Sequence, residues 1–277
     1  MNAEVEGRAE AVRFRADHHL GTQPLGDLVA VIEQLAKVDV AVLDAGADEH
    51  GLTMRDPTHG TVIIGVARSH MPMRQRSTLA HELAHVRFGD WRENSSCDWS
   101  ARSPEEIRAD AFARHLLIPV DGLCEFMGPK RTLAESDLSA AVQRFLVSPA
   151  IAATALREAG YISVTTKQDW MSLSAPHLAG RFGWGDQYQA LRADSDRRRA
   201  PQRLLARAIR GYQDAVVSAQ AIATLRGVSL AQAEADLHDA GVVPIESSVE
   251  WVDHGDLPEV DVDLAALDLA LNALDDE

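Results

Sequence analysis

The first third of the chain shows two kinds of hydrophobic pattern. Apolar residues at helical spacing predict a helix over 26–37, and short runs rich in β-branched residues predict strands over 38–44 and 60–67. A shorter stretch, 50–56, is predicted to form a third strand. The pattern therefore indicates a small sheet that precedes the next helix.

Two amphipathic helices with clear end signals follow this sheet. The first is predicted over 72–88, with proline in its first turn and Gly89 as its C-cap. The second is predicted over 104–117, with Ser103 as its N-cap and an end before Pro119. A sheet followed by helices predicts an α+β fold.

From residue 133 onward the pattern is mainly helical. Two amphipathic stretches, 133–146 and 149–160, have the outline of a helix-turn-helix. The next residues, 161–165, are predicted to form a strand. The stretch 166–199 has a mixed pattern, in which Gly180, Gly183 and Gly185 suggest a loop. Helical spacing returns over 201–225 and 229–240.

The composition is that of an ordinary globular protein, with 277 residues, 46% of them apolar and 25% charged. The formal net charge of −15 argues against affinity of the whole protein for nucleic acid. We find no secretory signal and no apolar run of the roughly 20 residues that a membrane span needs. The only two cysteines, Cys97 and Cys124, form no CxxC pattern and argue against a disulfide framework, which is consistent with a reducing compartment. We therefore expect a cytoplasmic protein without a membrane partner.

The chemically informative string is His81-Glu82-x-x-His85 within the helix predicted over 72–88. Residues four apart lie one turn apart on the same face, so both imidazoles can approach one zinc ion. Glu82 can then reach a water on the metal as general base. Two surface histidines on a helix are the alternative, but the preceding sheet and the small residues Ala80 and Ala84 favour a metal site.

A catalytic zinc needs a third protein ligand. The position six residues after His85, where a metzincin has a histidine, is Trp91, so that pattern is excluded. Asp90 and Glu93 are carboxylates nearby, but both lie beyond the predicted end of the helix. We therefore look to the next helix for the third ligand.

Glu106 lies early in that helix and is the preferred third ligand. Asp110 follows one turn later on the same face, where it can accept the free N–H of a ligating histidine. Ser103-x-x-Glu106 is also a capping box, in which Glu106 would instead bond back to the backbone of Ser103. In that case Glu105 is the alternative ligand.

These two strings resemble the signatures of the ImmA/IrrE family of zinc metallopeptidases. Residues 76–85, RSTLAHELAH, are similar to the active-site helix of the family, although Ala84 stands where the family often has glycine. Residues 106–119, EIRADAFARHLLIP, are similar to its second signature, in which the glutamate is the third zinc ligand. The resemblance covers roughly 10–119, and 133–162 resembles the helix-turn-helix-like region that commonly follows.

The resemblance implies a zincin-like fold and a cytoplasmic peptidase that acts on a partner repressor with its own helix-turn-helix. Together with the residue pattern, it divides the chain into a metallopeptidase domain (1–132), a helix-turn-helix-like segment (133–165), a helical region of unknown role (166–246) and an acidic tail (247–277). Residues 166–277 have no counterpart in the resemblance, so the last two divisions rest on hydrophobic spacing and composition alone. Cleaving or inactivating the repressor would derepress genes of a stress response or a mobile element.

A second class of function is a regulatory protein, antitoxin-like or a DNA-binding transcription factor, with a structural or vestigial zinc site. The helix-turn-helix-like segment has few basic residues, so packing or partner docking is favoured over DNA binding. The stretch 192–210 holds seven arginines against two aspartates, and it could contact DNA or pair with the acidic tail. An intact Glu82 favours the peptidase, because a structural zinc site needs no base.

Overall fold

The computed structural model describes residues 2–45, 51–56, 58–90 and 103–245. Its elements in chain order are α1 (Ala3–Asp17), α2 (Leu28–Val31), a π-helical turn (Ile32–Ala36), β1 (Asp39–Leu43), β2 (Leu52–Arg55), β3 (Val62–Ala67), α3 (Pro72–Phe88), α4 (Pro104–Leu117), α5 (Val120–Met127), α6 (Glu135–Phe145), α7 (Pro149–Glu158), α8 (Val164–Met171), α9 (Ala175–Arg181), α10 (Gly185–Ser195), α11 (Gln202–Gln213), α12 (Ala219–Arg226) and α13 (Leu230–Asp239).

The sheet has the strand order β1-β3-β2, so β3 lies in the middle. It runs parallel to β1, with Val40 opposite Ile64, and antiparallel to β2, with Thr53 also opposite Ile64. β1 is an almost continuous apolar run and is buried on both faces except at its last residue, whereas β2 is largely exposed. The three predicted strands are therefore all present, and β2 forms an edge of the sheet.

The predicted helix over 26–37 is shorter and less regular than expected. It forms only the four residues of α2 before it widens into the π-helical turn, which Lys37 ends in the left-handed conformation with φ 59°. Within this turn Glu33 accepts hydrogen bonds from the backbone N–H of Val40, at 3.3 Å, and of Gln202, at 2.9 Å. These tertiary contacts, which local spacing does not reveal, tie the turn to β1 and α11.

Helix α1, for which the sequence pattern gave no prediction, packs along α4. Phe14 and Phe112 are fully buried and meet edge to face, with ring centroids 6.2 Å apart. A Cβ at Gly7 would lie 2.1 Å from the backbone oxygen of Arg108, so only glycine allows the helices to approach this closely. Arg15 donates to three backbone carbonyls, and burial lowers its pKa to about 10. The packing of α1 therefore holds α4, the second signature helix, in place.

Two predictions for the middle of the chain were wrong. Residues 161–165 do not form a strand, because Ser163 accepts a hydrogen bond from the backbone N–H of Thr166 and begins α8. The glycines at 180, 183 and 185 do not form a loop that spans all three, because α9 continues to Arg181 and α10 begins at Gly185. Gly183, with φ 79°, makes the turn between α9 and α10. Only a short turn separates the two helices here, and the region is mainly helical.

The helix-turn-helix-like pair α6 and α7 is part of the main hydrophobic core. Leu138, Val142, Ala152 and Leu156 are fully buried there, and the core continues from Ala11 in α1 to α10. The core thus includes residues on both sides of position 132, and the predicted domain boundaries stay predictions. A second, small cluster of buried residues belongs to α12 and α13.

The predicted α+β class, a small sheet with long helices followed by a helical region, is confirmed. The predicted acidic tail, 247–277, lies outside the described residues. Within the described part of the chain no single helix is long and apolar enough to cross a membrane. The pair α6 and α7, bent by 107°, has the required length and composition only when both helices are counted together.

Candidate metal centre

Helix α3 presents its two histidines one turn apart, as the spacing predicts. On the side toward the core, Leu83 and Ala84 are fully buried, and this packing fixes the rotation of the helix about its axis. Gly89 ends the helix with φ 71° and donates to the backbone carbonyl of Val86. The boundaries predicted from proline and glycine are those observed. The histidine-bearing face is therefore held at a defined position above α4.

The side chains of His81, His85 and Glu106 converge. The Nε2 atoms of the two histidines are 3.1 Å apart. Glu106 Oε2 lies 3.0 Å from His81 Nε2, and Glu106 Oε1 lies 3.7 Å from His85 Nε2. Bonds of 2.0–2.1 Å to a tetrahedral zinc ion separate its ligand atoms by about 3.3 Å. The three residues fit such an ion in donor type, number and spacing.

Each histidine is oriented by a carboxylate on its other ring nitrogen. Asp110 Oδ1 lies 3.0 Å from His81 Nδ1, and Asp90 Oδ2 lies 3.4 Å from His85 Nδ1. An Nδ1–H that donates to a carboxylate leaves the lone pair on Nε2, and this is the tautomer that binds a metal through Nε2. The chain thus provides both the candidate ligands and the carboxylates that fix the tautomers of the two histidines.

The role of Asp90 was missed at the sequence level, where it was weighed only as a direct ligand. It directly follows the C-cap glycine, and its backbone N–H donates to the carbonyl of His85 at 2.9 Å. Its carboxylate also pairs with Arg108 of α4 and is largely buried. A carboxylate right after the end of an HExxH helix was the available signal. Without the turn geometry, that signal could not be assigned.

The charges around His81 favour its protonated form. Burial lowers the pKa of His81, but the hydrogen bond to Asp110 and the charges of Asp110, Glu106 and Glu82 outweigh this effect and raise it. A proton and a metal ion compete for the same Nε2 atom. The same carboxylates that raise the pKa would also stabilise a divalent cation.

The conformation at the start of α4 distinguishes Glu105 from Glu106, which the sequence left as alternative third ligands. Ser103 Oγ accepts a hydrogen bond from the backbone N–H of Glu106 at 3.4 Å, so the N-cap forms. Glu105 is exposed, and hydrogen bonds with its own backbone and with the Ser103 hydroxyl lower its pKa. The carboxylate of Glu106, in contrast, lies against the histidines. The structure brings Glu106, not Glu105, to the candidate centre.

Glu82 is buried and held against strand β2. Its Oε2 accepts a hydrogen bond from Thr53 Oγ1 at 2.7 Å. A Cβ at Gly51 would lie 2.5 Å from Glu82 Cγ and 2.7 Å from Glu82 Oε1, so glycine leaves the space that this side chain occupies. Neither Gly51 nor Thr53 was recognised from the sequence, because only the fold brings β2 over α3.

One prediction about the surroundings of the site was wrong. The sequence suggested that the strand at 60–66 pairs with an extended substrate. β3, which forms there, is hydrogen-bonded on both sides by β1 and β2 and has no free edge. The edge of the sheet beside Glu82 is β2.

His115, on the same helix as Glu106, lies away from the centre, as its spacing predicts. It is buried, and its Nε2 has no hydrogen-bond partner among the described residues. Burial, followed by the charges of Arg114 and Arg8, lowers the pKa of His115 to about 3. This histidine is neutral and structural. Trp91, Glu93 and Cys97 lie outside the described residues.

The histidine pair on a helix that follows a small sheet, with a glutamate from the next helix, defines a metallopeptidase-like protein. In agreement, residues 36–157 match the family model Peptidase_M78, described as the IrrE N-terminal-like domain. The chain therefore carries a domain of this zinc-associated peptidase family, and the resemblance to the ImmA/IrrE family is confirmed. The match runs from the start of the sheet through α7 and includes all three candidate ligands. No curated protein matches the chain.

Proposed function

We propose that the protein is a zinc-dependent endopeptidase in which His81, His85 and Glu106 hold the metal and Glu82 is the general base. The main support for this proposal is that the Nε2 atoms of both histidines and the carboxylate of Glu106 converge. In addition, the Nδ1 atom of each histidine is directed at an aspartate. A structural zinc site would not need the additional buried glutamate that Thr53 holds beside it. This glutamate supports a catalytic role for the centre.

In this proposal the residues of the chain divide the chemistry between them. Zinc, when bound, supplies Lewis acidity that activates a water molecule and polarises a peptide carbonyl. Thr53 donates to Glu82 Oε2, and Glu82 Oε1 takes the proton of the attacking water. Glu82 then passes this proton to the nitrogen of the leaving amine. Asp110 and Asp90 keep both histidines in the ligating tautomer throughout.

The substrate would bind as an extended peptide along β2. Three observations support this: β2 is an edge strand of the sheet formed by the described residues, its side chains Leu52 and Met54 are exposed, and Thr53 between them contacts Glu82. An added strand gains main-chain hydrogen bonds and places its carbonyls next to the metal centre. The large exposed side chains on β2 favour a substrate segment with apolar residues at alternate positions.

We further propose that the substrate is a helix-turn-helix repressor, whose cleavage or inactivation starts a stress or mobile-element response. This step rests on the family, whose members are linked to such partners, and on an open sheet edge that suits a flexible segment of another protein. Direct binding of DNA is not part of the proposal, because the net charge of −15 opposes it.

The test has two parts, metal content and cleavage. The purified protein should hold one zinc ion, lose activity on chelation and regain it with zinc. It should also cleave a co-expressed helix-turn-helix regulator encoded beside it. The variant Glu82→Gln should keep its zinc but lose about 10²–10⁴-fold in cleavage rate, whereas the exposed control Glu234→Gln should not change. Cleavage by Glu82→Gln at the wild-type rate, or a protein that takes up no zinc, would overturn the proposal.

A further inference from the structure

Helix α11 is an amphipathic helix whose apolar face is incompletely covered. None of its 12 residues is buried. Leu205, Ile209 and Tyr212 form a stripe along one face and are only half-buried, although they contact the small cluster of α12 and α13. A stripe of this length is normally buried against a partner. Part of this face therefore lacks cover among the described residues.

The same helix carries exposed arginines that have no acidic partner in the described part of the chain. Arg199, before the helix, pairs with Asp27, and Arg203, in its first turn, pairs with Asp39, so both attach the segment to the rest of the molecule. Arg207 and Arg210 are exposed, and no described carboxylate pairs with either. We call the apolar stripe of α11 together with these two arginines the α11 surface. It combines a hydrophobic strip with positive charge.

The chain continues from the end of this same surface. The backbone N–H of Ile245, the last described residue, donates to the carbonyl of Gln213 at 2.7 Å, at the C-terminal end of α11. The segment that follows therefore starts beside the α11 surface. Val243 and Ile245 are both well exposed there, at 65% and 64%. The connection brings whatever follows residue 245 close to the arginines.

The following segment has the complementary composition. Residues 247–277 contain ten acidic residues and no lysine or arginine. Leu264, Leu267, Leu271 and Leu274 recur at spacings of three and four, which predicts an amphipathic helix with one leucine seam. Acidic residues surround this seam in the sequence. An acidic helix with an apolar seam matches a basic surface with an apolar stripe.

We propose that the segment 247–277 docks within the same molecule on the α11 surface, with its leucine seam on the stripe and its acidic residues facing Arg207 and Arg210. The distance is short: α11 spans about 18 Å, and the residues between 245 and 264 can reach about 60 Å when extended. A tether of this length gives an effective concentration on the order of millimolar. This inference does not depend on the proposed peptidase activity.

Hydrogen exchange of the full-length protein tests the docking. The double variant Leu267→Asp with Leu271→Asp removes the centre of the seam, and we expect exchange at 202–213 to rise by about 10-fold. Leu269→Asp, off the seam, is the matched control and should leave exchange unchanged. Exchange in α4 should be the same in all three proteins, which shows that the main core is intact. Equal exchange at 202–213 in the double variant and the control would overturn the proposal.

Charge and concentration provide the second arm of the same experiment. Arg207→Glu with Arg210→Glu should also raise exchange at 202–213, and high salt should do so in the wild type because it screens the pairing. The protection must not depend on protein concentration. Protection that grows with concentration would show a second copy as the occupant and would refute docking in cis. Protection of α11 that requires duplex DNA would refute it as well.

Discussion

The α3–α4 pair and the α11–α13 group are both helical, but they differ in the kind and number of side chains that they bury. Between α3 and α4 the chain encloses polar groups, including Glu82 and His85, within the main core that extends from α1 to α10. The α11–α13 group has only five buried apolar residues, three of them alanines, and it leaves Arg207 and Arg210 of α11 exposed. The first region can hold side chains rigidly, whereas the second has capacity left for a partner.

This difference shows what a polar site requires from its surroundings. Buried carboxylates and imidazoles are costly unless each is paired, and here the pairs come from α3, α4, β2 and the turn after α3. Such a network keeps its geometry only if the backbone elements that carry it cannot shift. The large core behind α4 meets this requirement, and the small cluster of α12 and α13 could not.

The largest expected effect is on the free energy of unfolding, which should depend more on the main core around α4 than on the small cluster of α12 and α13. Phe112→Ala in α4 leaves a cavity in the main core and should lower the free energy of unfolding by about 3–5 kcal/mol. Leu237→Ala in α13 should cost about 2 kcal/mol, at the low end for leucine, because a small cluster can collapse around the gap. Urea unfolding of both variants, with the wild type as reference, checks this. A larger loss for Leu237→Ala would contradict the comparison.

The next effect concerns the groups that orient the histidines. Asp110→Asn and Asp90→Asn should each weaken zinc binding by about 10–100-fold, because the imidazole loses the charged acceptor that fixes its tautomer. Competition with a chelator of known affinity measures this. Glu105→Gln is the matched control and should bind zinc like the wild type. If Glu105→Gln is the weaker variant, the assignment of Glu106 as ligand is wrong.

The smallest effect concerns the position of Glu82. Thr53→Val keeps the shape of the side chain but removes the donor to Glu82 Oε2, and we expect kcat to fall by about 10-fold, the equivalent of a hydrogen bond of 1–2 kcal/mol. KM and zinc content should stay near the wild type, and Thr53→Ser should restore most of the rate. A change in KM alone would show that Thr53 contacts substrate rather than positioning the base.

The sequence allowed the signature helices to be predicted closely. Pro72 and Gly89 mark the ends of α3, and Ser103 and Pro104 mark the start of α4, because caps and prolines act through the backbone within one turn. The spacing of His81 and His85 fixed their common face for the same reason. Errors arose where long-range contacts determine the backbone conformation. The π-helical turn after α2 is one such place, since Glu33 accepts hydrogen bonds from β1 and from the start of α11.

The region between α9 and α10 also shows that local sequence patterns do not reveal long-range contacts. The glycines near 180–185 suggested a loop, but Trp184 is buried and its Nε1 donates to Ser139 Oγ of α6 at 2.9 Å. This contact fixes a joint between two short helices. A local pattern cannot distinguish such a joint from a long irregular segment, since the partner is 45 residues away in the chain.

By itself the sequence determined the two helices that carry the candidate ligands, the spacing of the histidine pair and the α+β class, because these depend on periodicity and on caps only a few residues apart. The tertiary structure alone decided that Glu106 rather than Glu105 meets the histidines and that Asp90 orients His85. It also decided that β2 rather than β3 is the edge, over Glu82, of the sheet formed by the described residues. These features join segments that are distant in sequence, and only the packing of α4 and the sheet against α3 brings their atoms within hydrogen-bonding distance.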